Sequence, residues 1–507
     1  MPLELNRRHL LGLTGAAATV PLLAGCLDND LPGQTPEGSR QITVGASDEP
    51  QVLDPIANAQ AAIPQVLLYN VYETLVKVDN NGDLRPLVAS AWTISDDRLT
   101  YRFTLHEQAT FASGTPLDAA AVVSSIEFLR AAESPNTGVA RAMGQIASVA
   151  AEGDHTVIIT LNAPSLLWLY DMSSTAGILI DPAGQDTMAD RPMGSGPFAF
   201  DSHQRGTSIT LKRNESYWGT PQRVDTIVFR YFTDPNAMNS AMLSGDLDII
   251  SNLAAPQALD QFGEDRFTVL EGYSTGEVVL GFNHTNEALA KKQVRQAINH
   301  AIDRQGLVDT VWGGKGQMIG SMVPPSDPWY EDLSGTYPFD PERARELLAE
   351  AGHATGLTLN LRVPTLPYGP GAATVIQSQL NDVGITVNVE EIDFTRWINE
   401  VFINAQYDMT IVAHVEARDI VAWANKDYYW KYDNPDFQRL VAEADEADEQ
   451  QGYELMKQAA RILAEDAAAD FLFLLPSLVI TKNRVSGIGN NVPSLSFDLT
   501  SVATRSS

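Results

Sequence analysis

One cysteine, Cys26, in 507 residues leaves no partner for a disulfide and no cluster for a thiolate metal site. The eight histidines are scattered and no two stand four apart, so a zincin helix is excluded. Basic residues are in short supply, 34 against 64 acidic ones, and the net charge of −30 leaves no basic stripe for nucleic acid. Long apolar runs are missing too. Leu10 to Leu23 falls short of the roughly twenty residues a spanning helix needs, and Phe471 to Ile480 is interrupted by Pro476. Catalytic signatures fail on spacing. In Gly194-Ser195-Gly196 the glycines sit too close to the serine for a nucleophile elbow, so a catalytic Ser195 loses to a tight structural turn. Gly313-Gly314-Lys315-Gly316 lacks the spacing of a phosphate loop. No enzyme, no cofactor and no metal site is expected.

What is present begins with length, enough for roughly two to four domains. The acidity reads as solubility outside the cell rather than as selection of a cationic ligand. At the N-terminus, Arg7 and Arg8 precede the apolar run, and Leu23-Ala24-Gly25-Cys26 closes it. A basic start, a short apolar stretch and small residues before the break are the grammar of an export signal over residues 1–25. The paired arginines resemble a twin-arginine signal, and the last four residues resemble a lipobox, which makes Cys26 the lipidated N-terminus of the mature chain. Residues 26–40 read as a flexible tether. The expected location is extracytoplasmic, held to the membrane by lipid only.

Along the chain, strand and helix patterns alternate, which predicts an α/β protein. Gln41 to Ala46 reads as a strand, Val66 to Val78 as a helix, and Tyr101 to Leu105 as a half-buried strand. Asp118, Asp234 and Asp340 each read as a helix N-cap, the last two followed by Pro. Leu211 to Asn214 with Tyr217-Trp218 reads as the close of a hairpin. Val278 to Phe282 reads as a strand leading to a helix with Val294, Ala297, Ile298, Ala301 and Ile302 inside, and Lys292, Gln296, Asn299 and Asp303 on the wet face.

Several stretches resemble family 5 extracellular solute-binding proteins, the peptide and nickel binders of ABC importers. They are Leu53-Asp54-Pro55, Pro86 to Trp92, Gly114-Thr115-Pro116-Leu117, Gly194-Ser195-Gly196-Pro197, Arg213-Asn214 with Tyr217-Trp218, Leu280 to Arg304, and Tyr432 to Phe437. Each is mostly capping and packing vocabulary; their order over roughly four hundred residues carries the likeness. The resemblance implies a two-lobed, hinged periplasmic-binding-protein-like fold with an extra inserted domain. Lobe 1 would take 41–72, 183–272 and 471–507, the inserted domain 73–182, and lobe 2 273–470. Two crossing strands would join the lobes, and solute would be captured between them. The implied partners are ABC permease subunits with their ATPases and a short peptide or peptide-like solute; a monomer is expected. A nickel chelate, an oligosaccharide or another small molecule is the alternative cargo, with a hydrolase or sensor behind that.

In the peptide binders a wall segment carries a Trp and then an Asp that holds the peptide amine. Here His414 stands at the place of the Trp and Ala417 at that of the Asp, with Asp419 two residues on, a departure from the α-peptide pattern. Glu416 or Asp419 could pair an ammonium and Arg418 a carboxylate, with Trp423 stacking on apolar parts. Tyr273 and Asn283 complete the expected pocket.

Overall fold

The computed structural model describes residues 40–505. Arg7, Arg8, Cys26 and the tether up to residue 39 lie outside the described residues. A ten-stranded sheet runs through the molecule in the order Ile385–Ile392, Leu357–Pro364, Met409–His414, Phe267–Phe282, Ala469–Lys482, Ile249–Ile250, Gln41–Ala46, Thr226–Tyr231, Ser208–Arg213 and Phe198–Gln204. Its two central strands hold the rest together. Phe267–Phe282 and Ala469–Lys482 pair antiparallel from Phe267↔Lys482 to Gly281↔Ala469. At one end the first of them pairs with Met409–His414, and at the other end the second pairs with Ile249–Ile250. Each end of the central pair thus carries its own half-sheet. The register shifts between Tyr273 and Glu277, where one half gives way to the other.

A separate four-stranded antiparallel sheet, Ala89–Ile94, Thr100–Leu105, Thr156–Leu161 and Ile146–Ala151 in spatial order, lies between two strands of the first half-sheet in the chain. Its alternation is the expected one: Tyr101, Phe103 and Leu105 are buried while Arg102 and Thr104 are exposed. Together these features are the two-lobed periplasmic-binding-protein fold with an extra inserted unit. Separate hydrophobic clusters fill the two halves. One contains Ile42, Phe103, Val122 and Phe229; a second contains Val278, Leu280, Ile298 and Ile376. A third, on the opposite face of the second half-sheet, contains Val279, Trp423, Trp430 and Phe471.

Local chemistry sets many element ends. Asp118 accepts from Ala121 N, Asp234 from Asn236 N and Asp340 from Arg343 N, each satisfying a free helix N–H. Gly245, left-handed at φ 98°, closes Pro235–Ser244.

Four expectations need correction. The helix read over Val66 to Val78 ends at Leu67, because Tyr69 turns left-handed at φ 65°, and Val76–Val78 is a strand. The hairpin is formed by Phe198–Gln204 and Ser208–Arg213, whereas Tyr217 and Trp218 turn to a buried carboxylate. The strand read from Val278 begins at Phe267; its Gly272 to Gly276 stretch resembles a turn in composition but lies in the central pair. Asn299 is buried, not wet, and its amide donates to Arg295 O.

The buried carboxylate is Glu73. It accepts from Tyr217 OH at 2.7 Å, Ser195 Oγ at 2.8 Å and Trp218 Nε1 at 2.9 Å. Burial pushes its pKa up to about 7 against those three donors. Gly194 and Gly196 press on the backbone of Asn70 to Tyr72 so closely that a Cβ would fall 2.2 Å from Val71 O and 2.5 Å from Asn70 O. Ser195 is therefore a fully buried structural hydroxyl at a packed corner.

Candidate functional site

Met409–His414 ends at His414, and the chain turns sharply through Arg418 into the 3₁₀ turn Asp419–Ala424. Arg418 is left-handed at φ 60°, a conformation that costs a residue carrying a Cβ about 1–2 kcal/mol. That turn directs its side chain away from its own strand. The guanidinium carbon lies 3.6 Å from the centroid of the Tyr170 ring and 5.1 Å from that of Trp329. Nε is 3.9 Å from Asp327 Oδ1, an ionic contact without a hydrogen bond. Tyr170 belongs to the short helix Trp168–Asp171, which follows the four-stranded sheet, and its hydroxyl donates to Pro493 O. Beside it Asp171 receives a two-pronged contact from Arg141, at 2.8 and 3.1 Å. Arg418 therefore bridges the second half-sheet and the inserted unit.

His414 is held at both nitrogens. Nδ1 is 2.9 Å from Asp419 Oδ2 and Nε2 is 2.9 Å from the Tyr429 hydroxyl. With an ionised carboxylate at Nδ1, a neutral ring donates there and accepts the Tyr429 proton at Nε2. The imidazole lies parallel to Tyr429 and 4.7 Å from Trp430, and Trp430 stacks face to face on Trp423 at 3.7 Å. Trp423 is thus a core aromatic at 1% exposure.

Unsatisfied polar atoms collect here. Among the described residues, buried atoms without a hydrogen-bond partner include Glu277 Oε2, Asp327 Oδ2, Asp419 Oδ1, Arg418 Nε and the indole nitrogens of Trp329, Trp423 and Trp430. Glu277 pairs with His414 across the ladder, so both side chains leave the same face of the sheet. Burial drives the Glu277 carboxyl well above the usual range, and Asp419, Asp327 and Glu416 push it the same way. Burial raises Asp327 to about 7, with the Arg418 charge opposing. Native interiors rarely leave buried polar atoms unpaired, so their concentration here singles this region out as the candidate site.

Of the residues expected from sequence, His414, Arg418 and Asp419 stand together with Glu416, which is exposed at the rim. Tyr273 is half-buried beside the Trp423 cluster. Asn283 stands apart: its amide donates to Ala405 O and Tyr407 O and its oxygen accepts from Thr285, which makes it a turn brace. Tyr170, Glu277, Asp327 and Trp329 escaped the sequence reading. Only Glu277 left a signal there, as an acid inside the apolar run Glu277-Val278-Val279-Leu280.

One oxygen or nitrogen each from His414, Glu416 and Asp419 lie within 4.8 Å of one another, a spacing that could hold a metal ion. Both His414 nitrogens are already engaged, so an ion would displace either the Asp419 or the Tyr429 contact. The His414–Asp419 pair ends on a tyrosine rather than on a serine or cysteine, and Ser195 is committed to Glu73. No nucleophile–base–orienter set is assembled from these residues.

The model for bacterial extracellular solute-binding proteins, family 5 middle, matches residues 83–417, and the chain belongs to that family. It is a solute-binding protein of the ABC-importer class, a family of binding proteins rather than enzymes. Glutathione-binding protein GsiB of Salmonella paratyphi A is 26% identical over 396 residues, covering 76% of this chain and 73% of that one. The probable D,D-dipeptide-binding periplasmic protein DdpA of Escherichia coli K12 is 27% identical over 463 residues, covering 85% and 88%. NikA from Brucella suis, solved in complex with Fe(III)-EDTA, superposes with a TM-score of 0.82 at 22% identity, over 92% of this chain and 100% of that one. No helix among the described residues is long and apolar enough to cross a membrane.

Proposed function

We propose that the protein is a lipid-anchored receptor that captures a peptide or peptide-like solute between its two halves and delivers it, as a monomer, to an ABC permease. Lobe 1 is assigned 41–72, 183–272 and 471–507, the inserted domain 73–182, and lobe 2 273–470. The observation that carries this reading is the convergence of unpaired buried polar atoms where Arg418 reaches across to Tyr170. Carboxylates and a guanidinium brought together and largely buried suit a solute carrying both an amine and a carboxylate. Glutathione and D,D-dipeptides, named for the relatives GsiB and DdpA, are solutes of that chemistry.

A thermal-shift screen tests it. At a hundredfold excess over its dissociation constant a true ligand adds about 2.7 kcal/mol to the folded state. Di- to pentapeptides, D,D-dipeptides and glutathione form the first panel. No shift with any of them, and no small molecule released on denaturation, would count against the reading. Anchoring at Cys26 is tested by labelled fatty acid incorporation that Cys26→Ser abolishes.

A metal chelate is the second reading, favoured by the spacing of His414, Glu416 and Asp419. Nickel with free histidine in the same screen separates the two, because only a chelate loses its shift when a stronger chelator is added.

A further inference from the structure

Three buried carboxylates in this protein meet burial in different ways. Glu73 is surrounded by three hydrogen-bond donors. Asp470, fully buried, faces the Arg304 guanidinium at 3.9 Å. Among the described residues Glu277 has no side-chain donor and no facing cation; its own backbone N–H favours its charge. It is 1% exposed in the middle of a central strand, and among the described residues nothing donates to its Oε2. The side chains acting on its charge include Asp419, Asp327 and Glu416, all of its own sign. Arg418, the cation of this group, is turned toward Tyr170 and Asp327.

Neighbouring positions sharpen the contrast. Val278, Val279 and Leu280 are completely buried, so an apolar residue at 277 would suit the strand. Replacing a buried unpaired acid by an apolar group is ordinarily neutral or stabilising. A carboxylate retained here, opposite His414 and near a second unpaired oxygen at Asp419 Oδ1, is an acceptor without its donor. Asp327 is offset by Arg418, and Asp419 would be offset by a single solute amine. Glu277 then remains over.

We propose that Glu277 is a specificity-determining residue of the solute site, receiving a cationic nitrogen of the solute beyond the one that Asp419 takes. The preferred cargo is therefore a basic solute, with an amine or guanidinium in addition to its α-amine. This deepens the cleft reading and rests on it. The exposed acidity of the chain plays no part, because the selecting oxygen is buried.

The test uses isosteric dipeptide pairs, Lys-Ala against norleucine-Ala and Ala-Lys against Ala-norleucine, titrated calorimetrically onto the protein near neutral pH. A lysine probe is expected to bind about tenfold or more tightly than its norleucine twin, a difference of about 1.4 kcal/mol. Glu277→Gln should bring that ratio to about one and raise Tm, since it removes the cost of burying a group that is ionised in the unfolded chain; a purely structural Glu277 would lower Tm and leave the ratio alone. The wild-type comparison holds even if the variant fails to fold. Equal affinity within both pairs overturns the Glu277 assignment and keeps the cleft as the site. Absence of binding by every peptide tried overturns the cleft reading, and this inference with it.

Discussion

The Arg418 guanidinium rests 3.6 Å above the Tyr170 ring, although 248 positions separate the two residues and they belong to different structural units. A desolvated cation–π contact of this kind contributes about 2 kcal/mol. Here it joins the wall of the candidate site to the inserted unit. Tyr170→Leu keeps an apolar side chain and removes the quadrupole, together with the hydroxyl's bond to Pro493 O. We expect it to weaken peptide binding roughly thirtyfold, equivalent to about 2 kcal/mol, with a smaller loss of folding stability. Calorimetry beside a melting curve measures both, and an equal fall in stability would mean that the contact serves folding alone.

A second tie lies further out. Asp445, in the helix Pro435–Glu446, accepts from Ser165 Oγ at 2.8 Å and from Leu166 N at 2.9 Å. Asp445→Ala removes the one oxygen, Oδ1, that accepts both bonds and should favour an open form. The radius of gyration of the ligand-free variant, read by small-angle scattering, is expected to increase. Saturating ligand should restore it.

Stability should depend on pH through Asp470. Its carboxyl is fully buried and burial raises it to about 7, with the Arg304 charge opposing. Since the folded value lies above the unfolded one, the contribution is fully present below about pH 4 and is lost as pH climbs through about 7. Between those limits the group makes stability fall by up to about 1.4 kcal/mol for each step of one in pH, and Asp470→Asn should flatten that part of the curve. Arg304 retains the carbonyls of Ile319, Phe471 and Ser334, so it is not stranded in the variant. Urea unfolding at a series of pH values is the measurement.

Ser195 gives a prediction about what will not happen. Ser195→Ala takes one donor from the buried Glu73 carboxylate and should cost about 1–3 kcal/mol in unfolding experiments. No hydrolysis of any peptide should be lost, because the binding-protein reading expects none. Turnover by the wild type that this change abolishes would contradict the binding-protein assignment.

Much of the architecture was legible because its signals are local. Asp118, Asp234 and Asp340 cap helices where sequence puts them, and Tyr101 to Leu105 alternates as written. What escaped depends on distance or on context. The Gly272 to Gly276 stretch has turn-like composition, yet it stays in the strand: Gly272 and Tyr273 pair with the neighbouring central strand, Ser274 Oγ donates to Leu475 O, and Asn491 and Val492 flank it. Asn299 looks like a surface residue until the buried Arg295 beside it is seen to spend its guanidinium on Ala467 O and Asp466 O. At the candidate site, the segment from His414 to Asp419 could be found from its neighbours in the chain. Tyr170 and Asp327 could not, because each joins the group only through the closing of the fold, and Glu277 left no more than an acid at the head of an apolar run.

The register shift between Tyr273 and Glu277 has a mechanical consequence. With a second irregularity between Val278 and Val279, it interrupts the ladder where the halves meet, the place at which a hinged motion would bend. Glu277 is the first paired residue beyond it. A solute that compensates the charge of Glu277 would pull directly on the joint, and recognition and motion would share one lever arm four residues long.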